Sequence, residues 1–467
     1  MTISLQQALA YIHSFKNYEL TAPQTIPEGA WDLSRITTFL SLLDDPHRAY
    51  PLIHIAGSKG KGSTAAFCTQ MLMAAGLRAG LYVSPHLLDF RERIQVDRQH
   101  IAPDALAKLV EDVKPYADSM PDLTWFELLT ALAFWHFARE GVDVAVIEVG
   151  LGGRLDATNV VTPLVSVITR LGLDHVELLG DTLAEIAAEK AAIIKPGVPV
   201  VSGPQDDEAM AVVERVATQK GSPLSLVLPA SGARDNPQSW IFQPAAGNGL
   251  TLTHGGEQWS YPLGLAGTFQ AENAAVAVAA MNAVRDGGLR IPGEAIARGL
   301  RATRWRGRFD MLQDAPRLIV DSAHNPQSAR VLAGELARLT PGPSWTLVFG
   351  CMADKDVNGM LVSLLPTANR VILTQAQHPR AMPARGLLEY VRAGWPDIGA
   401  VSVRQTVSEA LALALEGASE RDNICVAGSL AVAGEATAAW ERQSAPPDES
   451  YHQSMAPSDY PVNMLEV

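Results

Sequence analysis

The sequence is poor in cysteine, in positive charge and in long apolar runs, and each shortage excludes something. Three cysteines, Cys68, Cys351 and Cys425, are odd in number and far apart. That excludes a disulfide scaffold and most zinc-binding spacings. Such usage suits a reducing compartment, so a cytoplasmic location is expected. Lys and Arg total 37 against 50 Asp and Glu, a formal net charge of −13. Broad contact with a phosphate backbone needs a basic face, so nucleic acid is not an expected partner. No apolar run reaches the roughly 18 residues of a membrane span, so no membrane is expected either. The N-terminal stretch lacks a basic start and an apolar block, so no secretory leader is expected. At 47% hydrophobic and 19% charged, the chain can build sizeable cores. Its 467 residues exceed a single core, and roughly 150 residues per domain implies two or three.

What is present is an alternation of strands and helices. Short apolar runs at 52–57, 79–83, 143–150, 163–169 and 199–203 read as strands, with helical patterns between them. DVAVIEVG is a continuous apolar run, as in a strand buried on both faces. The rhythm predicts an α/β fold: a mostly parallel sheet flanked by helices. Residues 222–262 break it with Pro, Gly, Ser and Asn, and read as a small β insertion or a domain edge. A second alternating series, with strands at 317–321, 345–350, 370–374, 400–403 and 424–428, predicts a smaller Rossmann-like C-terminal domain. The expected division is 1–295, 296–440 and a disordered polar tail over 441–467.

The sharpest motif is HIAGSKGKGST, residues 54–64. A strand runs into Gly57-Ser58-Lys59-Gly60-Lys61-Gly62-Ser63 and a helix follows. Glycines let backbone amides approach phosphate oxygens, and the helix N-terminus adds free donors and partial positive charge. Lys61 can put a point charge on the β- and γ-phosphates. The spacing differs from the common Walker form: two residues, not four, separate the first Gly from the Gly-Lys pair. The bland alternative is a glycine turn with its lysines in solvent.

Other candidates sit at predicted strand ends, where open α/β sheets bind ligands. Glu148 closes AVIE and suits either Mg²⁺ or a salt bridge. Ser84 follows the AGLYV strand, and His175 follows the next strand end, where a structural histidine is as ready a reading. Lys190, by spacing alone, reads as a solvated helix residue. Arg304, Arg306 and Arg308 surround Gly307; an arginine there can stabilise a transferring phosphoryl group. Asp321, His324 and Asn325 lie together after a strand, and Asn325 by itself reads as a helix cap.

Taken in order, these motifs resemble the folylpolyglutamate synthase and dihydrofolate synthase family of the Mur ligase superfamily. The resemblance covers about residues 1–440 and also rests on SPHLLDFRERI, TWFELLTALAF, VIEVGLGGRLDATN, RWRGRFD and DSAHNP. It implies that Gly57 to Ser63 form the ATP phosphate loop, and that Asn273, Arg308 and Asp321 are nucleotide contacts. It implies Ser84, Glu148, His175 and Lys190 as metal ligands, with Lys190 carried as a carbamate, against its surface reading. Lys61, Arg308, His324 and Lys190 become the catalytic set. Thr124, Trp125, Phe126 and Glu127, with Leu155, Asp156 and Ala157, become the pterin segments. Departures from the family pattern are Ser58-Lys59 for the usual Thr-Asn, Ala192 for Gly, Asp97 and Trp125.

The implied activity is an ATP-dependent, ADP-forming amide ligase. It adds L-glutamate to dihydropteroate, to reduced folates or to both, through an acyl phosphate. Two Mg²⁺ ions, ATP as co-substrate and a monovalent cation are the implied small-molecule requirements, and a monomer is implied. A cell-wall ligase acting on nucleotide-linked muramyl substrates and an ATP-binding regulatory module without ligase activity are the competing readings.

Overall fold

The computed structural model describes residues 3–19, 25–27, 29–232, 238–395, 398 and 400–444. The chain divides into two compact units. The first comprises Met1–His86, Phe90–Gly264 and Thr268–Arg304; the second comprises Leu87–Asp89, Leu265–Gly267 and Trp305 onward.

The first unit is built on an eleven-stranded sheet. Its strands are β1 (Leu52–Ala56), β2 (Ala79–Tyr82), β3 (Ile94–Val96), β4 (Gln99–His100), β5 (Val144–Glu148), β6 (Val165–Ile168), β7 (Val200–Ser202), β8 (Leu224–Pro229), β9 (Trp240–Ala245), β10 (Gly249–His254) and β11 (Glu257–Pro262). Their spatial order is β11-β10-β9-β8-β7-β6-β1-β5-β2-β3-β4. Pairings from β9 through β2 are parallel, and both ends of the sheet turn antiparallel. All five residues of β1 and all five of β5 are buried. That is why these strands read as unbroken apolar runs: helices cover both faces.

The stretch 222–262, expected as an insertion or a domain edge, continues this same sheet as β8 to β11. The first unit also runs past the expected boundary at 295 to Arg304. The reason is packing. Helix Gly293–Ala302 lies so close to helix Lys61–Ala74 that a Cβ on Gly299 would sit 2.5 Å from the Cα of Met71.

The second unit holds a six-stranded sheet of β12 (Asp310–Asp314), β13 (Arg317–Val320), β14 (Trp345–Phe349), β15 (Ala368–Leu373), β16 (Ala400–Val403) and β17 (Asn423–Ala427). The order is β12-β13-β17-β14-β15-β16. Only β12 pairs antiparallel, and it precedes the first strand expected in this unit, at 317–321. Its core gathers Leu318, Val320, Val348, Ile372, Ile424 and Val426 under helix Leu430–Ser444. That helix takes in the first four residues of the expected tail, and 445–467 lie outside the described residues. Among the described residues no helix is long and apolar enough to cross a membrane.

Candidate active site

In the first unit, β1 lies between β5 and β6. The chain leaves β1 toward β2 on one side and leaves β6 toward β7 on the other. The crevice beyond β1 and β6 is therefore the topological switch point where such sheets bind ligands. The glycine loop falls there. A Cβ on Gly57 would lie 1.8 Å from Thr169 Oγ1, so only glycine lets β1 hand over to the loop against β6. Gly60 turns the chain at φ +87°, and its missing Cβ leaves room for Asn273 Oδ1, which would otherwise be 2.2 Å away. Helix Lys61–Ala74 then begins without a side-chain cap. Its first amides face the crevice mouth with the positive end of the helix dipole behind them.

The loop side chains are not equivalent. Lys61 Nζ donates to the Gly57 carbonyl at 3.1 Å and lies 4.0 Å from Glu148 Oε1. Lys59, expected on the nucleotide, is instead paired with Asp174 at 3.0 Å. The amides of Ser58 and Lys59 both donate to the Arg170 carbonyl at 3.0 Å, and Ser58 Oγ donates to the Gly172 carbonyl at 2.9 Å. These groups hold the loop to the segment after β6. Arg170 in turn grips Glu272 through two nitrogens, at 2.9 and 2.6 Å. Helix Gln270–Asp286 thus walls the loop and brings Asn273 to Gly60. Gln270 carries Asn273 through a 2.9 Å bond from Asn273 Nδ2, while Gln270 Nε2 and Thr64 Oγ1 are buried without a partner.

The four implied metal ligands are only partly gathered. Glu148 is buried at the end of β5. Tyr82 pairs with Ile147, so Ser84 lies just beyond the end of β2, beside the strand that carries Glu148. Lys190 is buried in helix Leu183–Ala191, and burial, reinforced by the charge of Lys61, pushes its amine down to about 7. The surface reading of Lys190 is overturned by the structure itself. His175 adopts φ +50° and its side chain is 57% exposed, 3.9 Å from Asp174. Among the described residues no three His, Cys, Asp or Glu form a cation site. A buried carboxylate beside the phosphate loop fits a hard cation. A bare Lys190 amine does not fit one; converted to a carbamate, it would.

The pterin segments have structural duties. Thr124 and Glu127 make a capping box for helix Trp125–Glu140, and Glu127 also pairs with Arg35 at 3.1 Å. Trp125 is buried, with the Arg93 guanidinium 4.8 Å from its ring centre. Arg93 also binds both carboxylate oxygens of Glu19 at 3.1 and 3.0 Å, a pairing with no local signature in the sequence. Phe126 is half-buried and fills the space a Cβ on Gly150 would take. Asp156 accepts from the amides of Leu151 at 2.8 Å and Thr158 at 3.0 Å, and burial pushes its carboxyl up. The Thr158 hydroxyl links it to His54 Nε2 at 2.9 Å. Leu155 and Ala157 flank it, Ala157 buried in the turn that Asp156 caps.

In the second unit, Arg308 donates to Ser322 Oγ at 2.6 Å, and Asp321 accepts from the amides of Phe309 at 2.7 Å and Ala323 at 2.8 Å. His324 Nδ1 lies 2.9 Å from the Ser322 carbonyl. Arg308, Asp321 and His324 therefore share one strand end. Arg304, at the end of the first unit, is spent on backbone carbonyls, 2.9 Å from that of Thr303, and Arg306 of the second unit pairs with Glu441. Asn325 is the N-cap of helix Pro326–Leu339.

Comparison with known proteins fits this layout. Residues 55–281 match the Mur ligase middle domain, and 307–430 match the Mur ligase glutamate ligase domain. A folylpolyglutamate synthase of Lacticaseibacillus casei is 35% identical over 439 residues, covering 91% of this chain and 96% of that one. The chain belongs to the folylpolyglutamate synthase/dihydrofolate synthase family of Mur ligases. A probable bifunctional folylpolyglutamate synthase/dihydropteroate synthase of Haloferax volcanii is 39% identical over 427 residues, 88% of this chain but 48% of that protein. The chain thus spans about half the length of that relative. The crystal structure of a bifunctional folylpolyglutamate synthase/dihydrofolate synthase from Yersinia pestis, complexed with AMPPNP and a Mn ion, superposes with TM-score 0.78 at 31% identity, over 94% of this chain and 98% of that one. Within this Mur ligase frame, the α/β class and the two-sheet plan expected from the sequence both hold.

Proposed function

We propose that this chain is an ATP-dependent, ADP-forming ligase that adds L-glutamate to dihydropteroate, to reduced folates or to both. The observation that carries this reading is the uncapped start of helix Lys61–Ala74 at the switch point, with Lys61 and Glu148 converging on it. Both activities appear in the name of the Yersinia pestis relative.

In this reading a substrate carboxylate attacks the γ-phosphate of ATP in line and ADP leaves. The amine of L-glutamate then attacks the acyl phosphate carbonyl, phosphate departs, and an amide remains. Such chemistry needs positioning and charge neutralisation more than side-chain proton transfer. Amides at the helix start, with Lys61, hold the triphosphate. Asn273 flanks the loop, and Arg308 and Asp321 are assigned to the nucleotide on the second unit, with His324 beside them. Glu148, Ser84, His175 and a carbamylated Lys190 would hold divalent metal, taken as two Mg²⁺. When bound, that metal would offset the charge of the transferring phosphoryl group. Phe126 and the turn held by Asp156 would form the pterin side. A monovalent cation, a monomeric state and a cytoplasmic location complete the proposal.

The test is ADP release with and without L-glutamate, on dihydropteroate and tetrahydrofolate in parallel. Glutamate-dependent release on either substrate is the expected result. ATP binding with no glutamate-dependent release would favour a regulatory module. Release only with a nucleotide-linked muramyl substrate would favour a cell-wall ligase.

A further inference from the structure

The phosphate loop carries two lysines, and the structure gives them different partners. Lys61 stands at the helix start and faces Glu148. Lys59 instead pairs with Asp174 at 3.0 Å, and the side chains of this pair are only 28% and 24% exposed. Both partners ride on segments already fastened together by the Arg170 carbonyl and by Ser58 to Gly172. The two backbones are thus held at a fixed separation, and the partial burial of the pair limits solvent screening. The Asp174 carboxylate lies 3.0 Å from Lys59 and 3.9 Å from His175, at the edge of the anion-binding turn.

We propose that Lys59 acts on Asp174 rather than on the nucleotide: it is a positioning residue that neutralises and tethers an aspartate which would otherwise repel the bound triphosphate. The inference rests on the ATP-binding role proposed above. It also gives a physical meaning to Lys59, which stands where the family usually has Asn. An Asn amide is too short to span this gap and carries no charge to offset Asp174.

The test measures the affinity of the full chain for Mg-AMPPNP by titration calorimetry, without folate or glutamate. Lys59→Asn should weaken binding about fivefold, the scale of a partly exposed charge pair. Lys59→Arg should stay within about twofold of the unmodified chain. Adding Asp174→Asn to Lys59→Asn should recover most of the loss, because the carboxylate that needed neutralising is gone. Thermal unfolding of each variant separates lost affinity from lost fold. The proposal is overturned if Lys59→Asn binds as tightly as the unmodified chain. It is equally overturned if the double variant remains as weak as Lys59→Asn, since Lys59 would then act on the nucleotide directly. If the unmodified chain itself does not bind Mg-AMPPNP, the functional reading fails instead.

Discussion

The Lys61 ammonium lies 4.0 Å from a carboxylate oxygen of Glu148, across the ends of two adjacent parallel strands. Glu148 is buried, so an opposite charge at that distance helps offset the cost of its desolvation. In the proposed reaction, Lys61 would turn to the anionic oxygens of ATP and leave Glu148 to a cation.

Replacing Lys61 with Ala should therefore lower turnover by about a hundredfold or more, the scale of removing one preorganised charge partner from a transition state. ADP release at saturating ATP reads the loss. Near-normal turnover would end the assignment of this loop to phosphates.

Gly60 supplies the second prediction. Gly60→Ala combines φ +87° with a Cβ 2.2 Å from Asn273 Oδ1. The amide end of Asn273 can move, so the backbone conformation should dominate, at about 1–2 kcal/mol. Urea unfolding should show that decrease together with weaker Mg-AMPPNP binding. Adding Asn273→Ala should remove the steric part and leave the backbone part.

Lys190 makes stability depend on pH. Its amine is pushed down to about 7 in the folded chain against 10.5 for an ordinary lysine. Between those values the unfolded chain holds a proton that the folded chain has shed. Stability should accordingly rise with pH from about 7 to 10.5 and be level below 7. Lys190→Met should flatten that rise in denaturation series run across the interval. In the native chain, activity lost on removing CO₂ should return faster at pH 8 than at pH 6 when dissolved CO₂ is held equal, because only the neutral amine adds CO₂.

Asp156 accepts two backbone amides and the Thr158 hydroxyl. Asp156→Ala leaves buried donors without an acceptor and should cost about 1–3 kcal/mol each. Chemical denaturation checks the stability, and the KM for dihydropteroate should rise more than the KM for ATP.

The strands that support this site were legible because β1, β5 and β6 are buried along their whole length, and burial on both faces writes itself as an apolar run. The edges were not. β3, β4 and β12 are short, partly exposed and paired antiparallel, and nothing in RWRGRFDM distinguishes an edge strand from a linker. Within the site, the glycine loop could be read from its own residues. Partners more than a hundred positions away could not: Asp174 for Lys59, Asn273 for Gly60. Thr124 and Glu127 show the opposite problem. Their spacing of three is a capping signature, and that local duty was hidden behind the substrate role the resemblance suggested.

Strand registration places Ile55 opposite Glu148 and Ala56 opposite Ile168. The groups proposed to gather around a nucleotide are therefore indexed to one another like teeth on a common rack. A slip of β5 by a single residue would draw Glu148 more than 3 Å back from Lys61 and turn its alternate side chains over. Mutational drift among these interior positions is confined to swaps of shape, while the chemistry can diversify only in the loops beyond the rack.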